Sequence, residues 1–114
     1  RFVDGDRLLL FVPLNCRECL PVINQLIGLL SSTQQSGVDV YVRDAEDDGA
    51  VRAWANAHAI KTNWLNGRHL TLNRDEGLLQ RLKSQSTVSP ADTMSIFLKR
   101  NGRFFQLSRE SLGL

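Results

Sequence analysis

Two rhythms of hydrophobic and polar positions run along this chain, and their order lays out the elements. Residues 7–12 (Arg-Leu-Leu-Leu-Phe-Val) form a short, almost unbroken apolar run, the pattern of a strand covered on both faces. Pro13 ends it. From Leu20 to Leu30 the apolar residues recur at helical spacing. Asn15 is the expected N-cap of that helix, and Pro21 is tolerable near its start at the cost of one backbone hydrogen bond and some bending. The polar stretch 31–36 and then Gly37 are expected to end it. Residues 38–42 alternate apolar and polar as a second strand. The acidic cluster Asp44, Glu46, Asp47 and Asp48 precedes a helical run over 51–60. Acid at that position complements the helix dipole, and the spacing of a calcium loop is absent.

Beyond it, 61–68 reads as a loop carrying Trp64 and the turn pair Asn66-Gly67, 69–73 as a short strand, and 75–83 as a short helix with Leu78, Leu79 and Leu82 on one side. A polar loop over 84–92 contains Pro90. Two apolar runs, 94–98 and 104–107, flank Asn101-Gly102, the strongest short-range hairpin signal. Lys99, Arg100 and Arg103 beside that turn read as solvent-facing gatekeepers, and 108–111 as the opening turn of a last helix cut off at Leu114. The order β-α-β-α-(β-α)-β-β predicts an α/β fold. Its first two strands should be parallel across a crossover helix, with a terminal antiparallel hairpin completing a mixed sheet.

Length and charge narrow the classes. The 114 residues make one domain, 1–114, with a real core, and an opening on Arg1 reads as a fragment of a larger protein. A net charge of +2 is too small to argue for nucleic-acid or membrane-surface binding, and no nucleic-acid partner is expected. No apolar run approaches the ~20 residues that span a bilayer.

Chemistry concentrates in Cys16-Arg17-Glu18-Cys19, which holds the only two cysteines and sits where the first strand hands over to the first helix. Free N–H groups and the positive end of the dipole at a helix start favour thiolate over thiol, so a Cys-x-x-Cys pair there reads as a redox site. A structural disulfide, half of a zinc site and two inert thiols are the other readings. Zinc would need Cys16, Cys19, His58 and His69, whose spacings match no finger pattern. His58, ending a helix, suits the dipole there, Trp54 reads as a core anchor, and Trp64 as a loop residue packing on the core or lining a groove. Asp75 and Glu76 read as caps. Arg17 favours a thiolate and Glu18 opposes it.

The cysteine pair after its apolar strand, together with Ser95-Ile96-Phe97-Leu98-Lys99-Arg100-Asn101-Gly102, resembles the thioredoxin-like superfamily. The strand with its cysteine pair, Val38-Asp39-Val40-Tyr41, residues 48–55 and residues 70–77 are similar to the thioredoxin-like C-terminal domain of integrating conjugative element proteins, a likeness that covers about residues 7–83. The resemblance implies a thioredoxin-like fold and a thiol–disulfide oxidoreductase or isomerase in the periplasm. It would act on protein thiols or disulfides of exported components of a bacterial conjugation or type IV secretion system. Cys16 would be the nucleophile and Cys19 the resolving thiol, with a redox-active Cys16–Cys19 disulfide, no other cofactor and no metal. Two departures from thioredoxins stand out. Leu10 occupies the place of their buried strand acid. Thr93-Met94 stands near the place of their cis-proline with Pro90 a few residues early, so that either Pro90 fills that role or the site lacks it. Arg17, Pro90 and Met94 are the supporting candidates. The departures fit a second reading, a non-catalytic thioredoxin-like scaffold or interaction module of the conjugation apparatus with a structural disulfide.

Overall fold

A computed structural model of the chain describes residues 2–16, 18–30, 36–58, 60, 70–85 and 94–113. The expectations for Arg17, Trp64, Asn66-Gly67, His69 and Pro90 lie outside them. Strand β1 (Arg7–Val12) is the middle of a five-stranded mixed sheet of order β3-β2-β1-β4-β5. It pairs in parallel with β2 (Gly37–Val42), Leu8, Leu10 and Val12 facing Val38, Val40 and Val42. On its other edge it pairs antiparallel with β4 (Ser95–Arg100), Leu8 opposite Leu98 and Leu10 opposite Ile96. β3 (Leu70–Arg74) extends the parallel side and β5 (Arg103–Leu107) the antiparallel side.

Side-chain alternation splits β1 between two cores. Leu8, Leu10 and Val12 join Val22, Ile23 and Leu26 of α1 (Cys19–Leu29) and Val51, Trp54 and Ala55 of α2 (Asp48–Ala57). Leu9 and Phe11 meet Leu79 and Leu82 of α3 (Leu78–Gln85), with Phe97 set edge-on against Phe11 and Tyr41 stacked on it. The placement follows from handedness. The steps β1-α1-β2 and β2-α2-β3 move the same way across the sheet, so right-handed crossovers put both helices on one face, while α3, which leads to the antiparallel β4, packs on the other.

Local chemistry explains most of the boundaries. Asp47 caps α2 by accepting from the Ala50 N–H at 2.8 Å, and Asp75 Oδ1 accepts from the Leu78 N–H at 3.0 Å to cap α3, as the acidic residues at both starts suggested. Glu76 instead pairs with Arg74. The hairpin turns at Asn101 and Gly102, both with positive φ (53° and 75°), a conformation those two residue types adopt at little cost.

Several expectations are corrected. Asn15 does not cap α1: the helix begins at Cys19 behind Glu18, whose side chain makes no capping bond. Pro21 therefore falls at the third helical position, where an N–H has no partner to lose, and no hydrogen bond is sacrificed. Gly37 is not a helix stop but opens β2, its N–H donating to the Asp6 carbonyl at 3.3 Å. The last segment is a single 3₁₀ turn, Glu110–Leu112, closed by Gly113 at φ 75° with Leu112 buried in the core, rather than the start of an α-helix.

Arg100 is no simple gatekeeper either. It reaches across to Asp6, which is 1% exposed, with Nη2 donating to Oδ2 at 2.6 Å and Nε to Oδ1 at 2.9 Å. Those guanidinium bonds, helped by the Val3 N–H, hold the Asp6 carboxyl below its ordinary value against the opposing effect of burial. A depressed carboxylate contributes stability above the unfolded value of about 3.9 and loses it as pH falls from there toward the folded value. Asp6→Asn should therefore cost about 2 kcal/mol in urea unfolding at pH 7 and flatten the loss of stability below about pH 4. An unchanged acid limb would show that other carboxylates set it.

Candidate functional site

β1 ends at Val12, and the chain then turns through Pro13, Leu14 and Asn15 to present Cys16 just ahead of α1. Cys16 and Cys19 are joined by a disulfide, their Cα atoms 5.7 Å apart. Cys19 is the first residue of α1 and fully buried, whereas Cys16 keeps 9% of its surface open. The helix-start argument made from the sequence thus applies directly to Cys19, the first residue of α1, with Cys16 three residues ahead of it. The first turn of α1 carries no acidic side chain after the cap position, and the Glu18 carboxylate is drawn aside to Arg109, whose Nη1 donates to it at 3.0 Å. The free N–H groups at that end therefore meet little opposing charge from the motif's own glutamate.

Beneath the pair the core is apolar. Leu10 is fully buried in the cluster that contains both cysteines, so no carboxylate stands there. Asp6, the buried carboxylate among the described residues, lies at the opposite end of β1, roughly 20 Å of strand away. From the other side Met94, 7% exposed, places its Sδ 3.9 Å from Cys16 Sγ. Met94 belongs equally to a cleft of about 330 Å³ lined by Ile96, Leu107, Ser108, Arg109 and Glu110. The cleft and the disulfide thus share one flexible, polarizable wall.

The sequence missed His58. It follows the last residue of α2, where its helix-end position suggested only a dipole partner, yet its Nε2 lies 2.7 Å from the carbonyl oxygen of Cys16. Nδ1 lies 2.9 Å from the carbonyl oxygen of Trp54, and the imidazole stacks on the Trp54 indole with centroids 4.6 Å apart. Trp54 is the core anchor expected, 3% exposed. The helical period showed which face of α2 is buried, not that its C-terminal end returns to the cysteine loop.

Of the residues picked out from sequence, the structure brings together Cys16, Cys19 and Met94. Arg17 and Pro90 fall outside the described residues. For zinc, His58 turns both ring nitrogens to backbone carbonyls, and no group of three or more His, Cys, Asp or Glu side chains among the described residues is placed to hold a metal ion. None of the helices described is long and apolar enough to cross a membrane. Comparison with protein-family models and with curated proteins gives no match.

Met94 covers Cys16 sulfur without bonding to it. Met94→Ala should cost about 2 kcal/mol in urea unfolding and speed reduction of the Cys16–Cys19 disulfide by dithiothreitol severalfold, followed by free-thiol release. A wild-type rate in a folded variant would mean that Met94 does not limit access to the sulfur.

Proposed function

We propose that this chain is a thiol–disulfide oxidoreductase or isomerase on a thioredoxin-like layout. The observation that carries the reading is the asymmetric pair itself: a disulfide at the β1-to-α1 junction with Cys16 partly open and Cys19 sealed at the first position of α1. Asymmetry of that kind divides the labour of exchange. A substrate thiolate attacks Cys16 Sγ, the Cys16–Cys19 bond breaks, and the electron pair leaves on Cys19, which takes up a proton. The second substrate thiol, losing its proton, then attacks the substrate sulfur of the mixed disulfide and expels Cys16 as thiolate. The substrate dithiol has given up two electrons and two protons and become a disulfide; the protein holds both electrons and one of the protons, and the other goes to solvent. Run backwards, the same steps reduce or reshuffle a substrate disulfide with Cys16 as nucleophile and Cys19 as resolving thiol. No further cofactor enters the step.

The parallel β1-α1-β2 unit, followed by the antiparallel β4–β5 hairpin on the other edge of β1, supports the thioredoxin-like layout. The sequence resemblance extends the proposal to substrates: exported proteins of a bacterial conjugation or type IV secretion system, met in the periplasm, where oxidation and isomerisation are the useful directions. A scaffold with a structural disulfide is the second reading, favoured by Leu10 where proton transfer would call for an acid and by the near-complete burial of the pair.

Equilibration in glutathione buffers separates the two. A reduction potential between about −120 and −270 mV is expected of an exchange catalyst, and one below about −300 mV of a structural bond. Cys19→Ser should also accumulate a mixed disulfide on Cys16 with substrate proteins, because the resolving thiol is gone. Cys16→Ser should accumulate none. Trapping by neither variant, together with the low potential, overturns the enzymatic reading.

A further inference from the structure

We propose that His58 is a positioning residue for the Cys16–Cys19 centre, an imidazolium that pins the Cys16 carbonyl and favours the reduced thiolate at Cys16. The inference rests on the exchange reading above and adds a residue to it.

The first observation is a count of donors and acceptors. Both ring nitrogens of His58 face carbonyl oxygens, Nε2 that of Cys16 at 2.7 Å and Nδ1 that of Trp54 at 2.9 Å. A carbonyl oxygen only accepts. Neutral imidazole has one N–H and one lone pair, so it satisfies one carbonyl and sets lone pair against lone pair at the other; imidazolium donates to both. The second is the ring's neighbour. The imidazole lies nearly parallel to the Trp54 indole, 4.6 Å between centroids and 28° between planes, the arrangement in which an aromatic face attracts a cation. Trp54 is itself fixed in the core that holds both cysteines.

A third observation concerns the groups nearby. α1 has no side-chain cap of its own, because Glu18 makes no capping bond and turns to Arg109. The carbonyl of Cys16 meets His58 at the end of α2. Among the described residues, the charged and titratable groups on the elements around the ring are Cys16, Cys19 and Glu18 of the motif, Asp48 and Arg52 of α2, and Asp47 at its cap. Glu18 is paired with Arg109, and Asp47 caps the far end of α2. Among the described contacts of the His58 ring there is neither a carboxylate nor another cation, so its charge is left to act on the cysteine that it holds.

Reduction sharpens the consequence. When two electrons enter the disulfide and Cys19 takes one proton, Cys16 either stays a thiolate or takes a second proton. A cation bonded to the backbone of the same residue favours the thiolate. The glutathione equilibrium then releases one proton per pair reduced, and its constant rises about tenfold per pH unit wherever that holds.

The test measures that constant across pH for the whole chain, wild type against His58→Phe, which keeps a ring on Trp54 without charge, and His58→Gln, which can still donate to the Cys16 carbonyl. At pH 6–7 both variants should favour the reduced form about fivefold to tenfold less than wild type, and their pH-dependent rise should begin at higher pH. His58→Gln should recover melting temperature relative to His58→Phe but not the equilibrium constant. Wild-type constants at every pH in His58→Gln, whatever the melting temperatures, would overturn the proposal and leave His58 a purely structural pin. Should His58→Phe fail to fold, His58→Gln alone decides. The measurement needs no protein substrate, so a chain that turns nothing over but shows the His58 effect defeats the enzymatic reading alone. Catalytic exchange with no His58 effect defeats this inference alone.

Discussion

Strand β1 is buried on both faces, and nearly everything else in the molecule is arranged to make that possible. Five successive residues, Leu8 to Val12, are at most 1% exposed. A strand so apolar has no face to give to water, so it must lie inside a sheet with a layer on either side. Parallel pairing with β2 and antiparallel pairing with β4 satisfy its backbone, and the two helices on one face and the third on the other cover its side chains. Deep burial also explains the polar exception. Asp6, immediately before β1, is almost sealed, and it is kept as a carboxylate by a guanidinium from the far end of β4 rather than by solvent.

The same constraint fixes where chemistry can occur. A chain leaving the central strand emerges at the sheet's end, and the residue that follows must turn into the covering helix. Cys16 and Cys19 occupy that turn, so they inherit a rigid floor from Val12 and Leu10 and the start of a helix from α1. Among the described residues, their environment is apolar below, sulfur-lined on the side of Met94, and polar where His58 and the helix start approach. In such surroundings a charge on sulfur is settled by very few groups, and each of them carries a larger share of the outcome than it would in water.

How much of this the sequence made legible follows from what each signal encodes. The apolar run 7–12, the alternation over 38–42 and Asn101-Gly102 each state a local backbone preference, and β1, β2 and the hairpin stand where those preferences put them. Asp47 and Asp75 were readable as caps for the same reason. The mistakes fall where a local preference was outbid by a distant partner. Asn15 has the chemistry of a cap, but α1 begins only at Cys19, behind Glu18. Arg100 has the composition of a surface turn, but a buried carboxylate 94 residues away in sequence claims it. Gly37 reads as punctuation and serves instead as a strand residue beside Asp6.

His58 is the clearest case of a role that no periodicity could state. Its place at the end of α2 is explained by dipole and packing alone, and both explanations remain true. What decides its chemistry is that Trp54, four residues earlier on the same face, is anchored in the core that also seats the cysteines. Once Trp54 is fixed, the next turn of α2 carries the imidazole to the carbonyl of Cys16. A ring between two carbonyls and an indole face is a site that prefers a cation. The Cys16–Cys19 pair is therefore held at its backbone by a residue 42 positions away in sequence, and the surroundings of the Cys-x-x-Cys motif are not contained within the motif.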